Sequence, residues 1–292
     1  MIQSLSVDVP TKGCINHCLF CVSRMHNSRY ENLIGNIKGR YKLDYKARLE
    51  FSRENGCNTV MLTGSAEPQQ NMEFISNFCR LNRELRVPFR NIELQTTTAK
   101  MDSYMISELK SCGITTISVS VSCLVDDTIN SRIINGNKIP INLGEACKAI
   151  KSNNINLRLS LNATKWLMAK DNEPNPAPMF EDVFRACKML GADQVTFRKM
   201  YASLNDTQQS KWVEENCIDS EWFDGLYGYI VNYGAYIDTL EYGQDRYSIY
   251  EMSTVIDNDC MAKNKNEAIK YFILRPNCKL YTKWDDKGSL VF

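Results

Sequence analysis

SLSVDVPTKGCINHCLFC, residues 4–21, is an alternating run that reads as a β-strand over 4–9, is broken at Pro10, and then places three cysteines and a histidine within eight residues. Working outward, apolar runs rich in β-branched residues recur at NTVMLT (58–63), NIELQTT (91–97), TTISVSVS (115–122), NLRLSLNA (156–163) and DQVTFRK (193–199). Between them lie helical patterns at about 41–55, 71–86, 102–112, 142–153 and 179–190, several closed by the stop signals Asn55-Gly56, Gly113 and Gly191. Alternating strands and helices argue for a parallel sheet with right-handed crossovers, either an open doubly wound sheet or a curled barrel. In both, ligands bind at the carboxyl ends of the strands, which is where the cysteine-rich stretch falls.

With 292 residues the chain is long enough for one large α/β domain or two modest ones. A formal charge of +1 gives no global field for nucleic acid or acidic membranes, so a whole nucleic acid is not an expected partner. No stretch approaches the roughly 18 apolar residues of a membrane span, and MIQSLSVDVP lacks the pattern of a signal peptide, so a cytoplasmic location is expected. In a reducing compartment the twelve cysteines are free thiols or ligands. Cys57 and Cys112 at helix ends, and Cys79, Cys147 and Cys187 within helical patterns, read as core thiols.

The proline-rich DNEPNPAPMF (171–180) reads as a loop able to arch over the mouth as a lid. After about residue 205 the character changes to aromatic helices and then the strand-like AYIDTLEYG, RYSIYEMS, AIKYFILRP and KLYTKW, a meander. Trp212, Trp222, Tyr227, Tyr229, Tyr233 and Tyr236 are expected to pack on the preceding domain rather than to touch substrate, because Trp222–Tyr229 and Tyr229–Tyr233 are helix-face spacings.

The spacing C-x-x-x-C-x-x-C at Cys14, Cys18 and Cys21 would arise by chance in about one such chain in fifty. Three thiolates on one flexible loop can reach three corners of an iron–sulfur cube, leaving one iron without a protein ligand. The rival is a zinc site with His17 or His26 as fourth ligand, although zinc modules pair two C-x-x-C-like arms and no second arm exists. With only those two histidines, a Ser-His-Asp site or multi-histidine centre is nearly excluded, and no P-loop or dinucleotide fingerprint appears.

This cysteine spacing, with an aromatic residue, Phe20, before the last cysteine, resembles the signature of the radical S-adenosylmethionine (SAM) superfamily. The resemblance implies a partial (β/α)6 TIM-like barrel over residues 1–205, with a small C-terminal α+β extension over 206–292 packing against it. It also implies a 4Fe-4S cluster on Cys14, Cys18 and Cys21, with SAM chelating the open iron. One-electron cleavage of SAM would then give a 5′-deoxyadenosyl radical that abstracts hydrogen from substrate, with flavodoxin or ferredoxin as electron donor.

TGSAEP (63–68) resembles the family's Gly-Gly-Glu-Pro segment that receives the SAM amino group, with Gly64 and Ser65 in the turn and Glu67 as acceptor, although Ser65-Ala66 replaces the second glycine. The resemblance also implies ribose and carboxylate contacts near the ends of later strands, where Ser122, Asn162 and Arg198 are the candidates. Ser120 and Ser122 share a strand face, as do Arg158, Ser160 and Asn162, which gives a polar inner wall. His17 is expected to pack the loop rather than act in catalysis. The overall appearance is similar to the queuosine-salvage lyases, which implies a nucleoside-like substrate. The alternatives are a radical SAM peptide-modifying enzyme and a non-catalytic iron–sulfur or zinc protein.

Overall fold

The computed structural model describes residues 2–26, 37–241, 243–257 and 269–292. Six parallel strands form its centre: β1 (Ser4–Asp8), β2 (Thr59–Thr63), β3 (Asn91–Thr96), β4 (Thr116–Val121), β5 (Asn156–Asn162) and β6 (Gln194–Arg198). Each pairs with the next in parallel register. The crossovers carry α1 (Val22–Met25), α2 (Arg40–Glu54), α3 (Met72–Arg83), α4 (Ser103–Cys112), α5 (Asp127–Asn135), α6 (Leu143–Ser152) and α7 (Phe180–Met189).

The architecture is a partial α/β barrel, and it has more parallel strands than the six expected. Beyond α8 (Gln208–Asn216) and α9 (Ser220–Tyr233), the chain forms β7 (Ala235–Thr239), β8 (Asp245–Ile249), β9 (Met252–Asp257), β10 (Tyr271–Leu274) and β11 (Leu280–Tyr281). These strands extend both edges of the same sheet, whose order is β11-β10-β1-β2-β3-β4-β5-β6-β9-β8-β7. β9 adds parallel to β6 and β10 adds parallel to β1. No hydrogen-bonded ladder joins β9 to β10 among the described residues, but an Asp257–Lys270 ion pair (3.2 Å) spans that seam. RYSIYEMS, read as one strand, is a hairpin instead, because Tyr250 and Glu251 both take positive φ (50° and 61°) and close a two-residue turn between β8 and β9.

Alternation along the strands divides the barrel wall. Leu5, Val7, Leu62, Leu94, Leu159 and Phe197 point outward into one continuous core beneath the helices. The residues between them face inward and are polar: Ser4 and Ser6, Thr59 and Thr63, Glu93 and Gln95, Arg158, Thr196 and Arg198. A barrel interior is ordinarily filled by bulky branched side chains. Here mostly polar side chains, several of them short, leave a cavity of about 840 Å³.

Charge inside the cavity is paired. Arg158 Nη1 meets Glu93 and its Nε donates to Gln194 Oε1 (2.8 Å), while Gln95 Nε2 donates to Glu93 Oε1 (3.2 Å). Asp8 Oδ2 accepts from Arg275 Nη1 at 3.0 Å. No helix among the described residues is long and apolar enough to cross a membrane.

Removing Arg158 strands the buried Glu93 carboxylate. Arg158→Met should therefore cost about 2 kcal/mol, below the full value for a wholly buried pair because Arg158 keeps solvent contact. The double variant Glu93→Leu/Arg158→Met should recover much of that loss in urea unfolding.

Candidate functional site

The cysteine loop leaves the carboxyl end of β1 and is gripped from two sides. On one side the turn after β2 reaches across: Asn71 Nδ2 donates to the Pro10 carbonyl (2.7 Å), Gln70 Nε2 to the Gly13 carbonyl (2.9 Å), and Ile15 N to Gln70 Oε1 (3.1 Å). On the other side α5 presents its last carbonyls, so that His17 N donates to Ile134 O and Leu19 N to Ile133 O, both at 3.0 Å. Groups left unsatisfied at a helix end thus become the loop's anchor.

The sequence reading had no helix here, although Asp126 caps it, accepting from Thr128 N (2.8 Å) and Ile129 N (3.1 Å), and Gly136 closes it at φ 66°. Nine residues carrying three isoleucines gave too short and too β-branched a pattern. Apolar packing completes the grip. Cys18 and Ile15 lie against Ala99, Ile134 and Ile141, while Phe20 lies against Ile129 and Ile133 with Trp212 at 6.1 Å.

Asn16, between the first two cysteines and 1% exposed, ties the loop to the sheet. Its Nδ2 donates to Glu67 Oε1 (2.9 Å) and to Thr97 Oγ1 (2.8 Å). Glu67, itself buried, also accepts from Gln69 Nε2 (2.8 Å), from the Thr96 hydroxyl (2.8 Å), and from Thr97 N at 3.2 and 3.1 Å to its two oxygens. A carboxylate offers about four lone-pair positions. Those of Glu67 are taken by protein donors, so the expectation that Glu67 presents a free acceptor to a ligand ammonium is corrected: its carboxylate is a structural clamp.

Gly64 is required for a different reason. Its φ is +150°, and a Cβ there would stand 2.4 Å from Asp8 Oδ1, the same oxygen that accepts from Ser65 N at 3.2 Å. Asp8 was not singled out from the sequence. Burial pushes its carboxyl pKa up against the lowering pull of Arg275.

Ser122 and Asn162 come together, with Asn162 Nδ2 3.2 Å from Ser122 Oγ and 3.1 Å from Ser120 Oγ. Asn130 Oδ1 on α5 holds the Ser122 backbone N–H at 2.9 Å. Arg198 is the register partner of Asn162 on β6, and its side chain makes no hydrogen bond to this pair. His17 is exposed, its Nδ1 2.7 Å from the Asn16 carbonyl and its ring against Arg24, a packing role. His26 lines the cavity and stacks on Tyr201 at 5.7 Å.

The expected lid does not sit over the cavity. Trp222 Nε1 donates to the Pro178 carbonyl (3.0 Å) and Phe180 packs on Trp222 and Tyr229, which draws 178–180 onto α9, while Asn172 is held by Arg132 of α5 (2.9 Å). The aromatic residues divide: Trp222 is buried, whereas Tyr227, Tyr233 and Tyr236 are exposed.

The three loop thiols are half-buried. Burial pushes Cys18 well above the usual thiol range, and Cys21, Glu67 and Cys14 add to it. Burial likewise raises Cys14. Among the described residues no three His, Cys, Asp or Glu side chains are arranged to hold a single ion. Three thiols on one loop, with no second cysteine arm in the chain, fit a cluster whose last position is left to a ligand better than a closed zinc tetrahedron. Cys57, Cys79 and Cys147 are buried core thiols pushed up to about 12 by burial, as expected of structural residues. Cys217 is exposed, Cys278 is buried, and Cys260 lies outside the described residues.

No protein-family model matches the chain, and no curated protein matches it in sequence. Solved structures match in fold. SuiB of Streptococcus suis bound to S-adenosylmethionine aligns with a TM-score of 0.59 at 14% identity, over 96% of this chain and 60% of SuiB. Native anSMEcpe with bound AdoMet aligns at 0.57 and 14% identity, over 99% of this chain and 76% of the other. Methylornithine synthase (PylB) aligns at 0.51 and 15% identity, over 77% and 62%. The chain thus spans about 60% of the length of SuiB. At these identities the likeness establishes the partial-barrel fold.

The clamp has a measurable consequence. Glu67→Gln places an amide N–H among donors and should cost about 1–3 kcal/mol in urea unfolding. In the metal-free protein it should also speed alkylation of Cys18 by iodoacetamide, because the loop loses its tie to β3.

Proposed function

We propose that this chain is a radical SAM enzyme in which Cys14, Cys18 and Cys21 hold a 4Fe-4S cluster, acting on a small nucleoside-like molecule. The observation that carries the reading is the three-thiol loop, clamped to β3 through Asn16 and Glu67 at the carboxyl end of a partial barrel. When bound, the cluster and SAM supply a one-electron cleavage that yields a 5′-deoxyadenosyl radical. The chain's own residues do the rest. The clamp fixes the thiols, the α5 carbonyls hold the loop backbone, and the packing of Phe20 on Trp212 shields one side of the loop from water.

The fold likeness to structures described with AdoMet bound supports the cofactor assignment. Gly64 and Ser65 in the turn after β2, with Ser122 and Asn162 at the ends of β4 and β5, are the proposed SAM contacts. Residues 1–205 would carry the chemistry, 206–292 would extend the wall, and flavodoxin or ferredoxin would deliver the electron.

The polar cavity suits a nucleoside or its monophosphate, and the specific substrate we favour is queuosine or its 5′-phosphate, with release of queuine. A peptide is the second reading. It is favoured by β7, a sheet-edge strand exposing Tyr236 and Ile237 to which an extended chain could add, and by the likeness to SuiB, which is described bound to the precursor peptide SuiA.

Anaerobic reconstitution should give about four irons per chain, and Cys14→Ala, Cys18→Ala and Cys21→Ala should each lose the cluster's visible absorbance and the 5′-deoxyadenosine formed after dithionite. A variant that keeps both would remove that cysteine from the set. Release of queuine in step with 5′-deoxyadenosine supports the lyase, whereas stimulation by peptides alone replaces it with the second reading.

A further inference from the structure

The central cavity contains five cationic side chains, and four are neutralised in place. Arg158 meets Glu93, Arg246 meets Asp238 (2.5 Å), Lys270 meets Asp257 (3.2 Å) and Arg275 meets Asp8 (3.0 Å). Arg198 is the exception among the described residues. It lies at the carboxyl end of β6, flanked in register by Asn162 and Asp257, yet Asp257 pairs with Lys270, and Glu241 on the exposed hairpin turn makes no ion pair with it. Its Nε is buried and has no hydrogen-bond partner.

A second nitrogen in the same cavity is in the same condition: His26 Nε2 is buried and unpartnered. The two come from different parts of the chain and lie toward the same end of the barrel. The His26 ring stacks on Tyr201, three residues beyond Arg198, and Asn205 Nδ2 donates to the Met25 carbonyl (2.8 Å), fastening the end of α1 to the segment after β6. Buried polar groups are ordinarily satisfied, and an unpaired guanidinium in a cavity whose other charges are matched asks for an anion.

We propose that Arg198 and His26 form the subsite for a single anionic group, a carboxylate or a phosphate monoester, carried by the substrate. This rests on reading the cavity as the substrate site of a radical SAM enzyme, and it moves Arg198 from the SAM contacts expected from sequence to the substrate. One negative charge placed there leaves every cation in the cavity paired. Arg198 supplies the forked donor, His26 donates as its Nε2–H tautomer, and the inward Thr196 hydroxyl is one strand step below.

The test uses matched probes, each neutral compound against its anion: guanosine against guanosine 5′-monophosphate, and N-acetylalanine amide against N-acetylalanine. Affinities are measured by calorimetry on the anaerobically reconstituted chain and on the same chain without cluster, with SAM titrated separately. At least one anion should bind about ten-fold tighter than its neutral partner, and which pair discriminates tells phosphate from carboxylate. Arg198→Gln should abolish the preference, Arg198→Lys should restore part of it, and His26→Asn should weaken it, all with SAM affinity unchanged.

Equal binding of neutral and anionic members by the wild-type chain overturns the proposal. So does a loss of SAM affinity in Arg198→Gln with the anion preference intact, which would return Arg198 to the SAM carboxylate. Because the cluster-free chain is titrated as well, failure to load iron would count against the radical SAM reading while the anion preference was still measured.

Discussion

A buried carboxylate with every lone pair taken is the constraint on which this site depends. Glu67 cannot be left half-satisfied in the dry space between β2, β3 and the cysteine loop, so it collects donors from all sides: Gln69 from its own turn, Thr96 at the end of β3 and Thr97 just after it, and Asn16 from the loop. The same bonds that stabilise the charge fix the loop's position. Asn16 spends both amide hydrogens on this network, and its place between Cys14 and Cys18 means that the thiol spacing is set by a polar contact with the sheet rather than by the loop alone.

Around that clamp the molecule reverses the usual distribution of polarity in a barrel. The apolar core lies outside the strands, beneath the helices, and the inside is polar, charged and partly empty. Such an interior is stable only because its charges are matched between strands, as with Glu93 on β3 and Arg158 on β5, which pair across the intervening β4. The strands that flank the central six supply two more of these partners, Arg275 following β10 and Asp257 on β9. The C-terminal residues therefore line the cavity as well as extending the wall. Where matching stops, at Arg198, chemistry is the reason we infer.

Local pattern carried much of this into view. The strands were legible because apolar and polar residues alternate along each of them, and five crossover helices because of their helical periodicity, several of them closed by a Gly or Asn stop. The short α5 was not legible, since its three isoleucines favour strand and only its caps speak for helix, yet it is the element that holds the cysteine loop backbone. The β8–β9 hairpin was hidden for a similar reason. Tyr250 and Glu251 carry no turn signature, and sheet pairing on either side imposes their positive φ.

The sequence by itself determined the thiol set, the parallel strand–helix order and the polar inner face, because spacing and alternation are properties of the chain read one residue at a time. Only the tertiary structure decided what Glu67 does, that β9 and β10 flank opposite edges of the barrel, and which arginine in the cavity lacks a counter-charge. Those are questions of pairing between residues up to 267 positions apart, as with Asp8 and Arg275, and no local pattern encodes who meets whom. A carboxylate beside a proline in a turn reads as an available acceptor until the fold shows that four neighbours have already claimed it.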